Sequence, residues 1–325
     1  MRLRFVFLTL ALLISLSGSL LGGETLFSFE GQVLQADGKP FKDSPIYAFL
    51  QGVTIPYNAS KPADLSGKFK FSKLRRAMYT LVIVVANHGE LRKTVDVSPS
   101  LADEKNRIRE TIRFETSQPV DATVAAVDLS VPAKAQREYD RATEKLESHD
   151  VAGAQEALKK AVTIAPQFAM AWNKLGVLSY QTADFTGAET YFRKALEADP
   201  SQYSAHVNLG GVLIAVGRYE ESLPYNQRAV IRAPEDPLAH AQLGQSYYYL
   251  GRYEEAERSL KQAKALDPRH FSRPQIFLAG IFDRQKRWAE WTAELEEYLR
   301  YHPDGKVSDD IRGLLRKSRE EGVPK

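Results

Sequence analysis

AMAWNKLGVLSYQTADFTGAETYFRKALEADPSQ (residues 169–202), YSAHVNLGGVLIAVGRYEESLPYNQRAVIRAPED (203–236) and PLAHAQLGQSYYYLGRYEEAERSLKQAKALDPRH (237–270) are consecutive stretches of 34 residues that align column by column. Their eighth position holds Gly176, Gly210 and Gly244, the twentieth Ala188, Ser222 and Ala256, and the twenty-seventh Ala195, Ala229 and Ala263. The seventeenth is large instead: Phe185, Tyr219 and Tyr253. Working backwards, Ala142, Val151, Ala154 and Ala161 extend these columns to a unit starting at Ala135, and prolines 166, 200, 234 and 268 keep the same interval. Small side chains are required where two helices approach to about 8–10 Å, and large ones fill the space between neighbouring pairs. A 34-residue period with that alternation predicts stacked helix–turn–helix units.

These columns, with Trp172 and Leu175 opening the second full unit, resemble the tetratricopeptide repeat (TPR). A solenoid of about five repeats is expected over 134–303, its first helix beginning after Pro132, which suits a first helical turn. The fifth unit, Ser272 to Pro303, is degenerate, with Trp288 at the bulky position and Trp291 where a small residue belongs. A capping helix over 307–321 should turn Ile311, Leu314 and Leu315 inward and close the apolar end. Pro224 inside the third unit's second helix removes a backbone hydrogen bond at a cost of about 3 kcal/mol, which predicts a kink.

Upstream, over 24–115, the pattern changes to short runs rich in Phe, Tyr, Val and Ile separated by turn residues. Candidate strands are Phe27–Gln35, Pro45–Leu50, Lys68–Phe71, Tyr79–Ala86, Leu91–Val97 and Arg107–Glu115, with Asp37-Gly38 and Ser66-Gly67 as turns. Six or seven strands in this span predict a small all-β sandwich, so the fold class is multidomain: a sandwich followed by an all-α solenoid. The order Gly31-Gln32-Val33, Asp37-Gly38-Lys39-Pro40, Ser66-Gly67-Lys68-Phe69-Lys70-Phe71, Leu74 and Tyr79-Thr80-Leu81 resembles the carboxypeptidase regulatory-like, prealbumin-type domain. Ala77 departs from it, standing where that family usually has glycine. A linker with Pro119 and Pro132 is expected over 116–133. Its Val124, Val127, Leu129 and Val131 are candidates to cover the second apolar face of the strand Tyr79–Ala86.

At the amino terminus, two arginines precede an apolar run from Phe5 to Leu16 and a small-residue stretch to Gly23, the architecture of a signal peptide over 1–19. Cleavage after Ser19 is expected, with retention as an uncleaved anchor the alternative. Export would place the chain in the periplasm, envelope or medium. The 325 residues are 43% hydrophobic and 26% charged, an ordinary globular composition, and contain no cysteine, which excludes disulfides, thiolate metal sites and cysteine nucleophiles. Lys and Arg number 44 against 41 Asp and Glu, so no basic footprint for nucleic acid is indicated.

No HExxH, GxSxG or GxxxxGK[ST] string occurs, and no catalytic residue, metal site or cofactor is assigned. His206 and His240 share the fourth repeat position, but equivalent atoms of successive repeats lie about 10 Å apart, too far for two ligands of one metal. They are expected to replace the packing residue seen as Trp172. Asp64, Glu220-Glu221 and Glu254-Glu255 are expected to be solvated, and Asn58-Ala59-Ser60 is an uninformative glycosylation triplet. By the TPR resemblance, the first helix of each repeat lines a concave face. That groove would carry Tyr139, Asn173, Lys174, Tyr180, Gln181, Asn208, Gln242, Gln245, Tyr248 and Tyr249, an aromatic and amide-rich lining suited to a protein or peptide partner. Tyr180, Tyr248 and Tyr249 are expected to be its largest exposed side chains. Of the carboxylate clamp found in chaperone-binding relatives only Asn208 fits, so a C-terminal carboxylate is not the expected ligand. The alternative is a carbohydrate-binding or uptake accessory role using Tyr47, Phe49 and Tyr57.

Overall fold

The computed structural model describes residues 25–41, 44–114 and 131–320. The expected signal peptide, and the linker apart from Val131–Ala133, lie outside them. Seven strands form the first unit: β1 Phe27–Gln35, β2 Ile46–Gly52, β3 Asn58–Pro62, β4 Lys68–Leu74, β5 Ala77–Val85, β6 Gly89–Val97 and β7 Arg107–Phe114. They make two sheets, β4-β1-β7 and β3-β2-β5-β6, in which only the β1–β7 pair is parallel. Phe29, Val33, Phe71, Leu81 and Ile83 are fully enclosed between them. The period of two is clearest in β5, where Tyr79, Leu81, Ile83 and Val85 are buried and Thr80, Val82 and Val84 half-buried.

Local chemistry sets the turns. Gly38 and Gly67 take φ of 85° and 77°, where a Cβ would be strained. Asp64, expected to be merely solvated, accepts from the amides of Ser66 and Lys68 at 2.8 and 2.9 Å and so builds the β3–β4 turn. The Tyr79 hydroxyl donates to the Arg75 carbonyl at 2.9 Å, tying the start of β5 to the preceding bend. At the open seam of the sandwich, Lys93 of β6 pairs with Glu110 of β7.

Eleven helices follow among the described residues, ten of them as antiparallel pairs: α1 Ala133–Glu147 with α2 Val151–Ile164, α3 Ala169–Gln181 with α4 Phe185–Ala198, α5 Tyr203–Ala215 with α6 Tyr219–Arg232, α7 Pro237–Tyr249 with α8 Tyr253–Leu266, and α9 Pro274–Arg284 with α10 Trp288–Tyr301. The eleventh, α11 Lys306–Glu320, follows them. Pro132 is the N-cap of α1 rather than its first-turn residue, because its carbonyl must accept from Ala135 and Gln136. The small columns sit at the crossings: a Cβ on Gly176 would come within 2.4 Å of the Phe192 ring, and one on Gly244 within 2.6 Å of Leu260. Helix α6 runs through Pro224 without a break; the proline is exposed, so water can reach the carbonyl it leaves unpaired. α11 buries Ile311 and Leu315 against α10, and Leu314 packs beside them. Glu221 and Glu255, expected to be solvated, pair with Arg218 and Arg252 at 2.5 and 2.6 Å. No helix among the described residues is long and apolar enough to cross a membrane.

Candidate protein-binding face

The fourth column of the repeat explains itself. Trp172 donates its indole N–H to the Pro166 carbonyl at 2.8 Å; His206 and His240 place Nε2 on the carbonyls of Pro200 and Pro234 at 2.9 and 2.8 Å. Since a carbonyl only accepts, each ring carries its hydrogen on Nε2. The two histidines therefore stand in for the tryptophan as N–H donors closing the turn between repeats. Among the described residues no group of three or more metal-ligating side chains gathers anywhere.

On the first helices of the repeats, the proposed lining divides. Asn208 Nδ2 donates to Asn173 Oδ1 at 2.9 Å, linking the sixth position of one repeat to the fifth of the repeat before, and the carbonyl oxygen of Gln242, at the next sixth position, is buried without a partner. Lys174 lies over the Tyr139 ring, its Nζ 4.5 Å from the centroid, and donates to Thr143 at 3.0 Å, while Tyr139 leans on Phe168. Gln245 reaches the Ser272 carbonyl at 3.5 Å.

The three tyrosines are not equally exposed, contrary to expectation. Tyr180 meets Phe185 edge-on at 5.5 Å, and burial raises its pKa. Tyr248 is held among Tyr253, Phe277 and Tyr249. Only Tyr249 is open, 43% exposed and stacked on Tyr219 at 4.4 Å. The reason is the bulky seventeenth column: in the second and fourth units it packs against the twelfth position and covers Tyr180 and Tyr248, whereas its stacking across units on the thirteenth leaves Tyr249 open. Among the aromatics of the carbohydrate alternative, Tyr57 is only 2% exposed, packed against Tyr79 and the His149 ring of the solenoid, while Tyr47 stays open at 48%. Tyr57 thus belongs to the core and the domain interface.

Sequence reasoning did not find where the sandwich sits. Gln181 is 8% exposed because its amide donates to the Gly52 carbonyl at the end of β2, 2.6 Å away. β3 packs on α1, where Lys61 pairs with Glu147 at 2.6 Å. His149, in the first helix–helix turn, reaches the Lys73 carbonyl at 3.3 Å. At the far end, the Thr94 amide of β6 donates to Asp267 Oδ2 at 2.9 Å, and the Phe271 amide to Thr94 Oγ1 at 3.3 Å. Between them, Arg92 lies 3.6 Å from Asp236 and over the Tyr203 ring, 5.7 Å from its centroid. Burial pulls the Arg92 pKa down, but Glu90 and Asp236 more than offset this and hold the guanidinium charged. These contacts run from the turn after α1, past the end of α3, to the turns before α7 and α9. The sandwich therefore lies diagonally across the face made by the first helices of the repeats.

Tetratricopeptide-repeat models match residues 139–202 and 241–305, and a second such model residues 201–269, together just over half of the chain. Among solved structures, PilW, a type IV pilus biogenesis factor, is 19% identical with a TM-score of 0.51, over 58% of this chain and 89% of its own. MamA from Desulfovibrio magneticus RS-1 is 21% identical with a TM-score of 0.47, over 54% and 96%. YrrB, described as a TPR protein with an unusual peptide-binding site, is 21% identical with a TM-score of 0.48, over 55% and 92%. At these identities the likeness is one of fold. No curated protein matches the chain. Through the repeats of its helical half, the chain belongs to the tetratricopeptide-repeat family.

Proposed function

We propose that this chain is an exported, non-catalytic adaptor that binds a protein or an extended peptide on the concave face of its TPR solenoid, in the cell envelope or outside it. The observation that carries the reading is the succession of amides on the first helices. Asn173, at the fifth position of its repeat, is joined to Asn208, at the sixth position of the next, and Gln242 holds the sixth position of the one after, so half-buried amide side chains follow one another along the first helices. Amides in a row can pair with the N–H and C=O groups of an extended backbone, and Tyr249 adds rigid contact area beside them. Export rests on Arg2, Arg4 and the Phe5–Leu16 run, and the sandwich is read as a carboxypeptidase regulatory-like domain from its sequence order.

Joint replacement of Asn173, Asn208 and Gln242 by Ala tests the groove. Capture of an envelope protein by the full chain, identified by mass spectrometry, should fall at least about tenfold while helical circular dichroism is unchanged. Equal capture by the triple variant would place the site elsewhere.

A further inference from the structure

β6 is the outer strand of its sheet, so alternate backbone N–H groups along it have no partner in the sandwich. One of these, on Thr94, is taken by the carboxylate of Asp267, and the Thr94 hydroxyl in turn accepts from the Phe271 amide. Two residues earlier, on the same face of the strand, Arg92 pairs first with Glu90 of β6 itself, and the solenoid adds Asp236 at 3.6 Å and the Tyr203 ring at 5.7 Å. Asp236 is itself fixed, accepting from the Tyr203 hydroxyl at 2.6 Å and capping α7 through the Leu238 amide at 2.7 Å. Both aspartates are buried, at 4% and 6% exposure. A buried carboxylate is costly without a partner, and here β6 supplies part of the partnering for both.

Extended peptides are recognised in general through backbone groups, bound whatever the sequence, and a side-chain pocket that selects among strands; here the Thr94 N–H is the backbone group and Arg92 the selected side chain. We infer that the solenoid edge formed by Tyr203, Asp236, Asp267 and Phe271 is a receptor for an extended, arginine-bearing strand, and that β6 of the same chain fills it as an internal ligand. An outside peptide of that class binds when the sandwich lifts away. The inference rests on reading the first-helix face of the solenoid as its binding face, because the same seating of the sandwich engages Gln181 in that face. Arginine is selected because its planar, permanently charged head matches both a carboxylate and an aromatic face.

The chain has no cysteine, so two introduced ones can carry a fluorescent pair without further changes. Leu65→Cys in the sandwich and Ile231→Cys in the solenoid are suitable, since those positions are 89% and 79% exposed. In that full-length background, Arg92→Glu removes the side-chain contact. Thr94→Pro independently removes the N–H, which an outward-facing position of an edge strand tolerates. Both should lower energy transfer relative to the parent, showing release of the sandwich. The probe is a fluorescein-labelled peptide with the sequence of residues 89–97. It should bind the two released variants at least about tenfold more tightly than the parent, whose receptor is already filled. A probe carrying Arg92→Glu should bind none of them.

Unchanged transfer in both variants would overturn the inference, as would release without probe binding, which would mark a permanent domain contact. Neither result depends on Asn173, Asn208 or Gln242, so failure of the groove reading shows separately, in the capture experiment.

Discussion

His206 and His302 are both buried, yet they do different work. His206 closes a turn through its Nε2 hydrogen, so His206→Phe, which keeps a ring and loses the donor, should cost about 1 kcal/mol in urea denaturation. His206→Trp should not, because Trp172 makes the same bond one repeat earlier. A larger loss in the Trp variant would show that packing rather than the hydrogen decides this column. His302 is different: burial, reinforced by the charge of Arg273, lowers its pKa to about 4, and its Nε2 is buried without a partner. The unfolded chain, with a pKa near 6.5, takes up the proton first on acidification. Stability tied to the neutral ring is therefore complete above about pH 6.5, falls as pH drops towards 4, and is level below that. The loss should be roughly 3–4 kcal/mol, two and a half tenfolds of proton affinity at about 1.4 kcal/mol each. In His302→Phe this component should vanish, so the stability of the variant relative to the parent should rise between pH 7 and pH 4. A pH-independent difference would mean that the ring is not held neutral.

At the scale of elements, the crossings of paired helices are set by atoms that have no room to move. A Cβ on Gly210 would lie 1.9 Å from Asn226 Oδ1, and Asn226 is held by its Nδ2 hydrogen bond to Ser246 Oγ at 3.0 Å, within a buried cluster that includes Ser222. Gly210→Ala should accordingly destabilise the chain by about 1–3 kcal/mol in thermal or urea unfolding. An unchanged midpoint would mean that α5 and α6 can part at little cost. The helices were legible because each repeats a pattern set by contact with a neighbour of the same sequence; α3, α5 and α7 begin at Ala169, Tyr203 and Pro237, the starts of the units in the primary structure. The strand Asn58–Pro62 was not legible, since its residues are mostly polar and its conformation comes from pairing with β2. The groove was legible as a set of columns but not as a surface. Tyr180 and Tyr248 occupy inward-facing positions, yet their exposure is decided by Phe185 and Tyr253, which the columns alone do not rank against them.

The whole molecule depends on contacts between residues far apart in sequence, such as Thr94 and Asp267, separated by 173 positions and carrying no periodic signal. That is why the seating of the sandwich could not be read from the chain, although coupling between the two halves was expected through the linker. With the sandwich across the first-helix face, the orientation of the two units is fixed at several points, from Lys61–Glu147 at one end to Thr94–Asp267 at the other. Exposed ion pairs such as the first contribute at most about 1 kcal/mol, so the hold rests on the buried hydrogen bonds of Thr94 and Gln181. Amide hydrogen exchange at Thr94 in the intact chain decides whether the binding face carries its own β module. The Thr94 N–H points out of its sheet, so only the seated solenoid can protect it: protection in the parent and rapid exchange in Asp267→Ala is the expected result. Rapid exchange at Thr94 in the parent would mean two independently moving units and would contradict the account.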